Sequence, residues 1–137
     1  MGIVYADITI KNAGDVTNVH RKILKEKDVR EVSVRSLVDT GAGSLVINEE
    51  ICQRLGLNIE GLRGVELADG AKQICKKTEP VRVYWKDRDA ICRALVVSNA
   101  TEVLLGAIPL EEMDLIIHPK RNELVGAHGD EPLTYIK

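Results

Sequence analysis

Leu37-Val38-Asp39-Thr40-Gly41-Ala42 is the stretch on which the fold turns. An apolar strand ends by delivering one carboxylate into a loop of small residues. A carboxylate directly after a Leu-Val pair is expected to be at least partly buried, and a buried carboxylate has to be paired, hydrogen-bonded or protonated. Gly41 allows another backbone to approach, and Thr40 adds a hydroxyl that can lock the loop. The plainer reading is a strand that stops in a tight turn, with Asp39 bonded to its own backbone.

Outward from this segment the chain reads as short strands and turns. Upstream, Val4, Ala6, Ile8 and Ile10 alternate on one side of a strand over 3–10, and alternation resumes from Val29 through Val32 and Val34 to Leu37-Val38. Between them, Asn12-Ala13-Gly14-Asp15 reads as a turn, and 16–28 as an extended hairpin or surface loop. Downstream, Leu45-Val46-Ile47 is a short strand. Asn48 suits a helix N-cap, Glu49 and Glu50 suit the positive end of the helix dipole, and Gly56 suits its end. A hairpin follows with its tip at Ala68-Asp69-Gly70, then a long strand to Trp85, a turn at 86–89 and a strand over 90–97. Val103-Leu104-Leu105-Gly106 leads into a short helix whose first turn holds Pro109, running through Met113. Leu115-Ile116-Ile117 and Leu124-Val125 are strands around a turn at Pro119-Lys120-Arg121-Asn122. Many short strands, regular turns and one or two short helices predict an all-β closed or sandwich-like fold, not a parallel α/β sheet.

Composition agrees and excludes other classes. The chain has 137 residues, the size of one domain over 1–137, and a domain this long buries roughly two-thirds of its unfolded surface without a disulfide or metal staple. With 3% aromatics and no Phe, the core has to be built from Val, Ile, Leu and Ala. A formal net charge of −2 offers no basic face for nucleic acid, and the run from His20 to Lys27 reads as a solvated surface. No apolar run reaches membrane length, and the start lacks a basic leader, so the expected location is the cytoplasm. Cys52, Cys75 and Cys92 are odd in number and form no CxxC, so they read as free thiols; Asn99-Ala100-Thr101 matches a glycosylation acceptor only by its letters. His20, His118 and His128 are scattered, and no metal or other cofactor is expected. Asp69 is explained by turn chemistry, Asp114 by capping or pairing and Trp85 by packing. Ser44 lacks the Gly-x-Ser-x-Gly setting of a serine hydrolase.

The order of these segments resembles the retropepsin-like, retroviral-type aspartic proteases, and in particular the small single-domain members found in prokaryotes. The resemblance spans about residues 3 to 118. Leu37 to Ile47 is similar to the family's active-site turn, Leu104-Leu105-Gly106 before a short helix to its second signature, and the hairpin tip at Ala68-Asp69-Gly70 to its flap. The resemblance implies an acid-protease barrel, active as a symmetric homodimer, that hydrolyses peptide bonds. Asp39, Thr40 and Gly41 of each subunit would be the catalytic residues, with one proton shared between two carboxylates about 3 Å apart. Ala42, Gly43, Ser44, Ala68, Asp69 and Gly70 would bind a peptide or protein substrate, and Leu104, Leu105 and Gly106 would support the catalytic loop. The chain departs from the viral pattern at two positions. An Asp usually follows the Asp-Thr-Gly-Ala string and an Arg follows the second-signature Gly, whereas here Gly43 and Ala107 stand there. Their joint loss removes a charged anchor and a support for the dimer, with Ser44 available to replace part of the hydrogen bonding. The alternative is therefore a catalytically weak or inactive dimerisation or peptide-binding module of the same fold. A weaker third reading is a monomeric all-β domain with a coincidental turn. The segments 16–28 and 119–137 are candidates for arm exchange between subunits.

Overall fold

The computed structural model describes residues 2–136; Met1 and Lys137, the two ends of the predicted 1–137 domain, lie outside the described residues. Strand β1 (Tyr5–Asn12) leads into helix α1 (Ala13–His20) and a 3₁₀ turn at Glu26–Asp28. Then come β2 (Glu31–Val38), β3 (Leu45–Ile47), α2 (Glu49–Arg54), β4 (Ile59–Glu66), β5 (Lys72–Trp85) and β6 (Arg88–Val96). The chain continues through β7 (Val103–Leu105), α3 (Ala107–Glu112), β8 (Leu115–Ile117) and β9 (Leu124–Gly126).

Seven strands form one sheet in the order β1-β2-β7-β3-β6-β5-β4. A further antiparallel pairing of β1 with β5, from Thr9↔Tyr84 to Asn12↔Val81, closes six of them into a barrel. Strand β4 is outside that ring and pairs only with the first half of β5, from Ile59↔Thr78 to Glu66↔Lys72. The result is a long hairpin standing off the barrel, and β4 has no buried residue. Its turn carries Gly70 at φ 85°, while Asp69 Oδ1 accepts from the Ala71 N–H at 2.9 Å. Ala68, Asp69 and Gly70 are thus the hairpin tip that the Asp-Gly pair predicts.

Alternation dictates what fills the barrel. Ala6, Ile8 and Ile10 of β1 point in together with Leu45 and Ile47 of β3, Val81 and Val83 of β5, and Leu105 of β7. Burying each Val, Leu or Ile stabilises by about 1.5–3 kcal/mol, so an aliphatic core suffices without Phe. Trp85 packs against this core from the side, and Cys52, Cys75 and Cys92 are free thiols. Burial pushes the Cys92 thiol up to about 11.

The helix at Asn48 forms as its sequence dictates. The Asn48 side chain accepts from the Ile51 N–H at 2.9 Å, and Gly56, at φ 61°, follows the last turn of α2. Residues 13–20 depart from expectation: they are helix α1, not part of a turn and loop, which makes three α-helices among the described residues. The cause is Asn12, whose side chain accepts from the Asp15 N–H at 3.0 Å and donates to the Leu55 carbonyl at 2.9 Å. What resembles a turn signal is a buried N-cap, and Ala13, Asp15 and Val16 are buried behind it. The sheet is also mixed, since β2–β7 and β3–β6 run parallel.

Past α3 the chain makes the small sheet β8–β9 and then folds back on itself. Asp114, at φ 55°, receives the Leu133 N–H and lies 2.7 Å from His128 Nδ1; the Leu133 N–H, followed by His128, holds its carboxyl below the usual range. The buried Arg88 guanidinium donates to the carbonyls of Met113, Asp114 and Gly129. No described helix is long and apolar enough to cross a membrane.

Candidate active site

The Asp39 loop is built around β7. Strand β2, which delivers Asp39, pairs parallel with β7 on one side (Leu37↔Leu104, Val38↔Leu105). Strand β3, which leaves the loop, pairs antiparallel with it on the other (Leu45↔Leu105, Val46↔Leu104). The two arms of the loop thus grip one three-residue strand, and Leu105 at its end is wholly buried.

At the end of β7 the chain turns into α3 beneath the loop. The Asp39 N–H donates to the Leu105 carbonyl at 3.0 Å. The N–H groups of Ala107 and Ile108 donate to the carbonyls of Ala42 and Gly43 at 2.8 and 3.1 Å. These are first-turn donors of α3 with no partner inside their own helix, so the loop caps the helix and the helix fixes the loop. Gly106 sits where they meet. A Cβ there would lie 2.6 Å from the Ala42 carbonyl oxygen and 2.8 Å from the Ser44 nitrogen, far inside contact distance. Leu104, Leu105 and Gly106 are therefore brought directly under the Asp39 loop. The backbone latch occupies the place where the charged partners of the viral pattern are replaced by Gly43 and Ala107.

Within the loop, Asp39 Oδ1 accepts the Gly41 N–H at 2.9 Å, and the Ala42 N–H donates to the Asp39 carbonyl at 3.1 Å. Asp39 is half-buried, and its Oδ2 has no hydrogen-bond partner among the described residues. Thr40 and Gly41 are exposed, and the Thr40 hydroxyl is likewise without a partner among the described residues. Ser44 Oγ donates to the Arg93 carbonyl at 2.9 Å, tying the loop to β6. The backbone-bonded turn and the half-buried acid therefore coexist: one oxygen is spent on the loop and the other is left open.

A groove of about 450 Å³ runs from Gly43 and Ser44 to the β4–β5 hairpin. Its hairpin wall is Arg63, Gly64, Val65 and Lys77, and its far wall is Ile91, Arg93 and Leu95 of β6, with Ile108 of α3 at the end. The tip residues Ala68, Asp69 and Gly70 do not line it; the arm of the hairpin does. Sequence reading centred on the tip and missed these wall residues. The signal was available in the period-two alternation, which puts Arg63, Val65 and Lys77 on one face once the register Arg63↔Cys75 is known.

No curated protein matches the sequence at a significant level. The family model described as "gag-polyprotein putative aspartyl protease" matches residues 26–112. That is more than half of the chain, from the approach to β2 through the Asp39 loop and the hairpin to the end of α3. Asp39 on a loop latched over Gly106, with five of the six barrel strands and the hairpin beside them, is the arrangement that this match covers, and the chain belongs to the gag-polyprotein aspartyl protease family.

Proposed function

We propose that the protein is an aspartic endopeptidase that works as a symmetric homodimer, with Asp39 from each subunit forming one catalytic pair. The observation that carries this reading is the Asp39 loop itself. One carboxylate oxygen orients the loop and the other is unengaged among the described residues, on a turn held by backbone bonds from β7 and α3. Two such carboxylates facing each other across a two-fold axis hold one proton between them, because like charges at that distance do not both ionise. The ionised member takes a proton from a water as its oxygen attacks the scissile carbonyl carbon. The protonated member gives its proton to the carbonyl oxygen. Collapse of the tetrahedral intermediate breaks the C–N bond: the amine leaves with the proton the first carboxylate had taken, and one hydroxyl of the intermediate returns its proton to the second carboxylate as the carbonyl re-forms.

The remaining roles follow from this reading. Thr40, whose hydroxyl has no partner among the described residues, bonds across the two-fold axis. Gly41 to Ser44 present backbone to an extended peptide, and Ala68, Asp69 and Gly70 close over it with the hairpin. Three unpaired thiols suit a reducing compartment, and we place the protein in the cytoplasm as a single domain per subunit. A second reading, a peptide-binding module with little turnover, is favoured by the absence of the charged pair at Gly43 and Ala107.

Cleavage of a diverse peptide library by the wild type and by Asp39→Asn, across pH and with pepstatin in parallel, tests the proposal. Cuts by the wild type that vanish in Asp39→Asn and fade with pepstatin support the endopeptidase. Cuts that survive Asp39→Asn exclude Asp39 as the catalytic residue. A folded dimer that binds peptides at every pH and cuts none is the module.

A further inference from the structure

The groove beside the Asp39 loop carries a charge pattern of its own. Arg63 and Lys77 project from the same face of the β4–β5 hairpin, one on each strand. Lys77 lies across Gly61, its Cε in ordinary contact range, 3.8 Å, of where a Cβ at Gly61 would sit. A third cation, Arg93, stands on the far wall, but its Nε is already bonded to Glu60 Oε1 at 2.7 Å. Neither Arg63 nor Lys77 makes an ion pair among the described residues. Among the described residues, no carboxylate lines the groove. Two like charges therefore share a partly enclosed space without a counter-ion, and a bound anion would relieve their repulsion.

The rest of the lining says what shape of anion fits. Val65, Ile91, Leu95 and Ile108 supply apolar surface, so the occupant needs a hydrocarbon stem as well as a charge. Gly43 and Ser44 close the groove at the end nearest Asp39, a few residues along the same loop. An extended chain lying over the catalytic turn would pass beside this groove.

We propose that this groove is a specificity subsite for an acidic side chain, Glu or Asp, of an extended peptide, read by Arg63 and Lys77. This rests on the reading that a peptide is the ligand of the Asp39 site. Arg63 forms a forked pair with the carboxylate, Lys77 adds a point charge, and the apolar walls take the methylenes. Alternate residues of an extended chain point to opposite sides, so the preference falls at a single position of the substrate.

The test uses families of labelled peptides that differ at one position only, Glu, Gln or Lys, with that position scanned along the peptide. Binding to full-length Asp39→Asn, which holds peptide without turning it over, is followed by fluorescence anisotropy at low and high salt. At one position the Glu peptide is expected to bind about tenfold tighter than the Gln peptide at low salt, with the gap shrinking as salt rises. Adding Arg63→Glu and Lys77→Glu is expected to turn that preference toward Lys. Both residues are at least partly exposed, and the milder Arg63→Gln with Lys77→Gln, which should only erase the preference, covers any loss of folding in the reversal. Arg121→Glu, outside the groove, is expected to change nothing. Equal binding of Glu, Gln and Lys peptides at every position, no binding at all, or a Glu preference that survives the double reversal overturns the subsite. The wild type acting on the same peptides separates the two ideas. Cleavage without an acidic preference removes the subsite and leaves the protease, whereas an acidic preference in binding without cleavage removes the protease and leaves the subsite.

Discussion

Gly106 concentrates the site's structural demand in one position. Its backbone is extended, at φ −94° and ψ −173°, a conformation open to any residue, so the need for glycine is spatial and not conformational. The carbonyls of Ala42 and Ser44 occupy the space a side chain would need, and both are backbone atoms that cannot move without breaking the latch on Asp39. Gly106→Ala is therefore expected to destabilise by about 3 kcal/mol, at the upper end of overpacking costs, with a melting temperature lower by on the order of 10 °C. Gly43 is the internal control. Nothing lies within 4 Å of a Cβ there, and Gly43→Ala is expected to change stability by less than about 0.5 kcal/mol. Thermal unfolding of the two variants side by side checks the pair; equal melting temperatures would sink the claim that the latch is the reason for the glycine. Both Asp39 and Gly106 were legible in the sequence as members of short strings. The reason Gly106 matters was not, because it depends on β7 lying between two strands that flank Asp39 in sequence and are far from β7 in it.

At the scale of elements, helix α1 is the part that sequence reasoning missed, and its chemistry explains why. Asn12, Ala13, Gly14 and Asp15 are turn formers by composition, and the helix they start carries β-branched Val16, Thr17 and Val19, poor intrinsic helix formers. Its stability comes from tertiary bonds invisible in one dimension. Asp15 accepts from the Arg30 backbone at 3.0 Å and from its guanidinium at 2.8 and 2.9 Å, while that guanidinium covers Gly56 at the end of α2. By contrast α2, with its cap, acidic first turn and terminal glycine in the right order, was fully legible. The forked bond from Arg30 holds the Asp15 carboxyl below its ordinary value of 3.8. A carboxyl whose pKa is depressed by folding stabilises the native state fully above its unfolded value, and that contribution disappears as the pH falls through the folded value. Asp15→Asn is thus expected to cost about 2 kcal/mol near neutral pH, the size of a charge-assisted hydrogen bond in a partly buried place. The gap between wild type and variant should narrow as the pH drops below 3.8. Urea unfolding of both proteins from neutral to strongly acid pH checks it, and a gap that stays constant or widens in acid contradicts the assignment.

At the scale of the molecule, period-two alternation predicted a closed or sandwich-like β fold, and the barrel is its outcome. The parallel pairs β2–β7 and β3–β6 and the closing pair β1–β5 were not legible, because pairing partners far apart in sequence leave no local signal. The barrel sets one Asp39 loop at its end, and the proposed chemistry needs two. Catalysis should then depend on subunit pairing in a way that a one-chain enzyme does not. Consider wild type at a fixed concentration, above the dissociation constant of the dimer, mixed with an equal amount of Asp39→Asn and left to exchange subunits. The variant keeps the loop, the latch and the groove, so it pairs as well as the wild type does. Random pairing puts about a quarter of all dimers in the wild-type homodimer, so peptide cleavage should fall to about half of its value without the variant. A catalyst complete in one chain would be unaffected by the addition. Missing the charged support at Gly43 and Ala107, the dimer should also be weak, so that on dilution the specific activity falls as the dimer dissociates. A specific activity constant over dilution, together with cleavage unmoved by Asp39→Asn at every concentration, would mean that one chain suffices and that the second carboxylate comes from somewhere other than a partner's Asp39.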